Sequence, residues 1–234
     1  GKKEVVLELG GNAGVAVADD ADLDFATDRL LLGAFAVWGG AFTSAEEIRG
    51  RVLDGDVPLA GVAVVAIWEL RGIEGTHVRN LAIQEAISDD EGRFQIPGWG
   101  LRINPRFLYA GLPENSPQIL LLLRDYAPEM LANNGARKVL GVFLRAGELQ
   151  DSDFQLRRWS VNDTGQVDLG QQVDAKIRNV LLSPDCEWRQ IPTLLVEMHY
   201  LGLATIDAGG RSLMLDRIPE RDCGSAETEL RERL

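Results

Sequence analysis

The sequence predicts a mainly β protein, a β-sandwich body with a small α or mixed C-terminal extension and an N-terminal strand-strand-helix segment. Three observations carry that expectation. From Arg51 onward, short β-prone runs alternate with turns rich in Asp, Gly and Pro, the texture of a sandwich. The stretch "PQILLLLRDY" contains an unbroken apolar run, Ile119 to Leu123, as a strand buried on both faces requires. Past about Asp153 the alternation fades and helix-length stretches take over. The expected divisions are 1–46, 47–150 and 151–234.

Taken in order, residues 5–9 form a short apolar strand ending in Gly10-Gly11, and residues 15–18 form a second, stopped by Asp19-Asp20. Asp22 is placed to cap a helix over 23–37, with Phe25, Leu30, Leu31, Ala34 and Phe35 on its apolar positions. Gly39-Gly40 ends it. In "RVLDGDVPLAGVAVVAIWEL" a strand around Val52 and Leu53 turns through 54–58 and returns as a strand over 62–68. Asp89-Asp90-Glu91-Gly92 is a tight turn. After it, Phe94 and Ile96 lie two apart and share one face of a strand. Residues 161–170, "VNDTGQVDLG", are loop-like, and 171–182 and 191–203 are expected helices punctuated by Pro184 and Pro192. Residues 225–234 are expected to be a charged, frayed tail.

The composition narrows the function classes. A formal net charge of −12 without a basic stripe argues against nucleic acid and anionic membranes. No apolar run approaches the roughly 20 residues of a membrane-spanning helix. Cys186 and Cys223 are the two cysteines. They form one disulfide in an oxidising compartment or remain two thiols in a reducing one. The chain opens at Gly1 rather than a methionine, so the missing targeting signal says nothing about localisation.

The first 44 residues, "KKEVVLELGGNAGVAVADDADLDFATDRLLLGAFAVWGG" and its flanks, resemble the aldehyde dehydrogenase superfamily. "LELGGN" is similar to the motif that carries that family's catalytic glutamate, and "DDADLDFA" followed by "GAFA" continues the match. The resemblance implies a general base at Glu8, a cysteine nucleophile and an NAD(P) cofactor. The chemistry would be covalent catalysis followed by hydrolysis. The nucleophile belongs in a G-Q-x-C pattern, and Phe42 stands at its cysteine. A phenyl ring forms no thiohemiacetal, and the cofactor-binding part has no counterpart here. The resemblance therefore implies an inactive remnant, with Glu8 a relic base and no bound cofactor.

"IRGRVLDGDVPLAGVAVVAIWEL" resembles the opening of carboxypeptidase regulatory-like domains, also called transthyretin-like or prealbumin-like. Gly50, Val52, Asp54, Pro58, Leu59, Gly61, Val62 and Val64 fit its pattern. "EAISDDEGRFQIPGWG" is similar to the same family's T-D-x-x-G-x-F-x-I-P hairpin, with Ser88 at the usual threonine. "PQILLLLRDYAPEML" resembles its next strand, keeping Tyr126. "CEWRQIPTLLVEM" looks like the tail of a bacterial group of such proteins, often exported or lipid-anchored. This resemblance spans about 48–200 and implies a structural or binding module. Val62, Val64, Phe94, Ile96, Ile119 and Leu121 are its expected inner faces.

Other constellations read as structural. Glu197 and His199 with Asp185, Cys186 and Glu187 could suggest a metal site, but residues two apart do not share a helix face, and no metal is expected. His77 is read as a solvated loop residue, and Trp68 and Trp99 as core lids. No G-x-S-x-G occurs. The expectation is a non-enzymatic β module fused near 42–50 to a dehydrogenase remnant, with an unidentified protein or cell-envelope partner. It would be exported if the β domain sets localisation, and cytoplasmic if the first segment does. The rival expectation is an NAD(P)-dependent aldehyde dehydrogenase fragment.

Overall fold

The computed structural model describes residues 42–72, 74–106, 110–113, 115–132, 136–139, 142–145, 151–158, 173, 177–206, 218, 220 and 222–230. Glu8, the two strands and the helix expected over 5–37, and the loop expected over 161–170 lie outside them.

The described chain is mainly β, with thirteen strands named here and few helices. The central sheet has the order β10-β9-β4-β5, formed by Glu129–Ala132, Gln118–Leu122, Ala63–Gly72 and His77–Ile87, all antiparallel. A short β8, Ala110–Gly111, also pairs with β4. A second sheet places β2, Ile48–Asp54, between β13, Ser152–Gln155, and two antiparallel partners. These are β3, Val57–Pro58, and β6, Arg93–Ile96. A third has the order β11-β12-β1-β7, formed by Ala136–Val139, Val142–Arg145, Phe42–Ala45 and Trp99–Ile103. The second and third run on from each other. Only Glu46-Glu47 separates β1 from β2, and only Pro97-Gly98 separates β6 from β7. Ala45 pairs with Trp99 on one side of this bend and Ile48 with Ile96 on the other.

Alternation along β4 explains its composition. Val64, Ala66 and Trp68 face the bent sheet, where they meet Val52, Phe94, Ile96 and Phe154. Ala63, Val65 and Ile67 face the other way, into a cluster with helical residues. Both faces being covered, β4 has no polar alternation from Ala63 through Trp68. β9 divides likewise, Ile119 and Leu121 inward and Leu120 and Leu122 outward. Two sheets thus meet across one core, the arrangement of a β-sandwich, and helices cover the outer face of the central sheet.

Two glycines make the sandwich close. A side chain on Gly50 would collide with the rings of Phe94 and Phe154, which pack with centroids 5.6 Å apart. Gly92 has φ of 73°, and a Cβ there would lie 2.5 Å from the Val52 carbonyl oxygen. The tight turn expected at 89–92 thus needs glycine both for its left-handed backbone and for its approach to β2. Next to it, the Ser88 hydroxyl donates to the Leu59 carbonyl at 2.6 Å and accepts from the Val62 N–H at 2.9 Å.

The helical layer comprises residues 177–181, a 3-10 turn Glu187–Gln190, the long helix Pro192–Ile206 and a short helix Ala226–Leu230. The start of the long helix is fully accounted for. Pro192 lacks an N–H. Thr193 and Leu194 donate to the two carboxylate oxygens of Glu85 at 3.1 and 2.7 Å. Leu195 then begins the helical ladder by donating to Ile191. A β5 carboxylate therefore caps the helix and meets its positive end. Ile191, Leu194, Leu195, Met198 and Trp188 are buried against the sheet. Each full burial of this size contributes about 1.5–3 kcal/mol.

The last helix differs from the frayed tail expected there. Ala226 is 1 % and Leu230 2 % exposed, both within the outer core cluster. The cause is tethering: Cys223 is disulfide-bonded to Cys186, and Arg189 binds both the Cys223 carbonyl and Glu229 at 2.7 Å. The charges of "ETEL" hide two apolar residues four apart on one helix face. No helix of the described residues is long and apolar enough to cross a membrane.

Candidate functional site

β5 is distorted twice near its start and pairs regularly with β4 from Ala82 to Ile87. Trp68 pairs with Ala82 while Glu69 pairs with Asn80, leaving Leu81 extra; Leu70 pairs with Arg79 and Arg71 with His77, leaving Val78 extra. Such bulges re-aim side chains and frequently border functional sites. Among the described residues the opposite edge of β5 has no strand partner. Beside this edge lies a groove of about 350 Å³, lined by Arg79 through Gln84 of β5, Arg102 of β7, and Asp185, Glu187 and Gln190.

The wall contributed by 185–190 is held by an unusual backbone. Cys186 adopts φ of 55°, a left-handed conformation that a side-chain-bearing residue rarely takes without enforcement. The Cys186–Cys223 disulfide and the 3-10 turn fix it there. Glu187 follows and is only 7 % exposed. Asn80 Nδ2 donates to Glu187 Oε2 at 2.6 Å. Burial raises the Glu187 carboxyl above the ordinary glutamate range; the hydrogen bonds from Asn80 and Ser183 offset this in part, and Asp185 adds to it. Arg79 bonds Asp185 at 3.3 Å, so that pair is neutral within itself.

Two groups remain uncommitted. Arg102 lies over the Trp99 ring, 4.9 Å from its centroid, and no carboxylate of the described residues pairs with it. Gln84 Oε1 is buried and has no hydrogen-bond partner among the described residues. Gln84 shares its strand face with Ala82 and Ala86, which pack on the inner core.

The sequence-predicted site residues fare differently. Glu8 is outside the described residues. Phe42 is the first residue of β1 and pairs with Ile103 of β7. Of the groups weighed as metal ligands, Cys186 is committed to its disulfide, Glu187 to Asn80, Asp185 to Arg79 and Glu197 to the Arg124 N–H at 2.6 Å; His199 Nδ1 is buried without a hydrogen-bond partner among the described residues, and no group of three such ligands is assembled among them. His77 is half-buried at the start of β5 rather than in a solvated loop, its Nε2 3.4 Å from Asn80 Oδ1. Trp68 and Trp99 are buried edge-to-face, with centroids 5.7 Å apart. Sequence reasoning passed over Arg79, Asn80, Gln84, Arg102 and Gln190. The available signal was Gln84, a long polar side chain on a face otherwise lined by small apolar ones.

No protein-family model matches the chain, and no curated protein matches it. Among solved structures, 3-chlorocatechol 1,2-dioxygenase from Rhodococcus opacus is 15 % identical over 51 % of this chain and 60 % of its own, with a TM-score of 0.26. A 9R-lipoxygenase from Cyanothece is 13 % identical over 74 % of this chain and 31 % of its own, TM-score 0.26. Chlorocatechol 1,2-dioxygenase from Pseudomonas putida is 13 % identical over 50 % and 59 %, TM-score 0.23. The chain spans less than two thirds of the length of each. At these scores the likenesses carry no argument about fold or activity.

Proposed function

We propose that this chain is a non-catalytic binding module built on a carboxypeptidase regulatory-like, transthyretin-like β-sandwich, and that residues 1–44 are an inactive aldehyde dehydrogenase-like remnant. The observation that carries the binding reading is the groove on the open edge of β5. Its described lining presents a guanidinium, Arg102, that rests on Trp99 and pairs with no carboxylate of the described residues, beside the Asn80–Glu187 and Arg79–Asp185 pairs. Polar groups converging on one concave surface are a feature of small-molecule sites.

The family reading draws support from the motif residues. Val52, Val62, Val64, Phe94 and Ile96 lie together in the inner core. The Tyr126 hydroxyl donates to Asp54 Oδ2 at 3.1 Å, joining two motif residues distant in sequence. The disulfide supports an exported, cell-envelope setting, because such bonds persist in oxidising compartments.

A two-part experiment tests the proposal. The purified chain is incubated with NAD(P) and short aldehydes while reduced nicotinamide is followed by absorbance; no signal is expected. A fragment screen by protein-observed NMR should then give shifts concentrated at 79–84, 102 and 185–190. Turnover abolished by Glu8→Gln, or a screen in which no fragment touches those residues, would refute it.

A further inference from the structure

We propose that the Cys186–Cys223 disulfide is a redox latch on the outer wall of the β5 groove: its reduction lets residues 183–187 rewind and releases the Glu187 carboxylate from its buried place into water. Oxidation state then sets whether the groove presents a solvated carboxylate. The inference concerns the wall itself and stands whether or not the groove holds a ligand.

Two tendencies in this wall oppose its folded shape. Cys186 holds φ of 55°, a left-handed conformation that a side chain makes costly. It opens the 3-10 turn Glu187–Gln190 without a side-chain cap, and its N–H reaches the Ser183 carbonyl only at 3.4 Å. Glu187, next in the chain, is a carboxyl group taken out of water, which is unfavourable unless hydrogen bonds compensate. Asn80 and Ser183 supply such bonds, while Asp185 lies close enough to repel its charge. Arg79, a nearby cation, is turned onto Asp185 at 3.3 Å. Without restraint, the left-handed cysteine and the desolvated glutamate would both relax outward. The covalent tie to Cys223 is the restraint.

The wall can move without the core. Leu181 before it and Trp188 after it are buried in the outer cluster, so the displacement is confined to the residues between them. Arg189 holds the Cys223 carbonyl and Glu229 through contacts that reduction leaves intact, so the short helix keeps its place. Both cysteines are half-buried rather than enclosed, within reach of an attacking thiolate. A dithiol reductant balances the step. One of its thiolates attacks a disulfide sulfur, forming a mixed disulfide and expelling one cysteine; its second thiolate then displaces the other. The reductant leaves as a disulfide, and Cys186 and Cys223 take up two protons.

The test maps carboxyl accessibility on the whole chain, using a water-soluble carbodiimide with an amine and reading the products by peptide mass spectrometry. Asp185 and Glu187 fall on one tryptic peptide, between Arg178 and Arg189, and exposed Asp185 is the internal standard. Glu187 should be protected in the oxidised chain and couple about tenfold faster after dithiothreitol, the factor that release of one left-handed residue represents. Glu69, as buried as Glu187 but in the central sheet, should stay protected throughout. Two variants isolate the backbone from the loss of a cross-link. Both carry Cys223→Ala; one adds Cys186→Gly, which accepts the left-handed conformation freely, and the other adds Cys186→Ala, which does not. The glycine variant should keep Glu187 protected, and the alanine variant should expose it as reduction does. Equal protection of Glu187 in the oxidised and reduced chain overturns the inference. Equal coupling in the two variants also overturns it, because the left-handed residue is then not what the bond restrains. Coupling of Glu69 together with Glu187 would report unfolding of the chain and overturn the latch as well.

Discussion

Removing the Cys186–Cys223 bond should cost this fold more than any single core contact. The bond joins residues 37 apart in sequence. Closing a loop of that length in the unfolded chain removes about 13 cal/mol/K of entropy, or about 3.8 kcal/mol at 25 °C. In the folded chain the bond does two jobs. It pins the short helix Ala226–Leu230, with Ala226 and Leu230 in the outer core, and it holds Cys186 left-handed so that Glu187 enters the groove. The assay is urea unfolding of the oxidised chain, the reduced chain and the Cys186→Ala/Cys223→Ala variant. With a slope of about 2–3 kcal/mol/M, the midpoint should fall by roughly 1–2 M in both altered forms. Arg189, bound to Cys223 and Glu229, keeps the native helix docked when the bond is absent, so unfolding should stay cooperative. Free thiols in the protein purified from an oxidising compartment, or a midpoint indifferent to reductant, would refute the reasoning.

Four further outcomes follow from named contacts. Glu85→Ala uncaps the long helix by orphaning the Thr193 and Leu194 N–H groups and should destabilise by about 1–2 kcal/mol in chemical denaturation, with Glu85→Gln losing less. Ser88→Ala strands the Leu59 carbonyl and the Val62 N–H; a loss of about 2–3 kcal/mol is expected by the same measurement. Gly92→Ala meets both a left-handed backbone and the Val52 oxygen and should cost about 2 kcal/mol or more. For Glu187 the sign follows from its raised folded-state pKa: the stabilising protonated form is fully present below about pH 4.3 and is lost as pH rises through the folded value. Melting scans from about pH 4 to 7 should therefore show the native chain losing stability relative to Glu187→Gln as pH rises, and a constant gap would exclude the mechanism.

Much of the β body was legible because its signals are local. Phe94 and Ile96, two apart after a Gly-containing turn, are both buried. The unbroken apolar stretch of β9 announced two covered faces, and both faces are covered; β4, of which only an inner face was expected, is covered on both as well. What covers the second face was not legible in the same way. The Glu85 cap reaches across more than a hundred residues, and the tail helix is docked by a disulfide that the two cysteines alone left open. Element lengths were also underestimated: β4 continues to Gly72, beyond the apolar stretch, because its polar end still pairs with β5 on one side and with β8 on the other.

The groove was the least visible feature, and its construction explains why. It draws on three segments, 79–84, 102 and 185–190, none of which carries a motif. Its position follows from a two-residue defect. Without the extra Val78 and Leu81, β5 would run in plain register with β4 and strict alternation would fix where Asn80 points. The bulge instead lets Asn80 reach Glu187 in the helical layer while Gln84 remains with Ala82 and Ala86 toward the inner core. One strand edge thereby offers polar groups from both of its faces to the same space. A strand buried between neighbours has no open edge to offer. The groove therefore depends on β5 being the last strand of the central sheet among the described residues, and its Asn80–Glu187 contact depends on the bulge that turns Asn80 away from the face of Ala82.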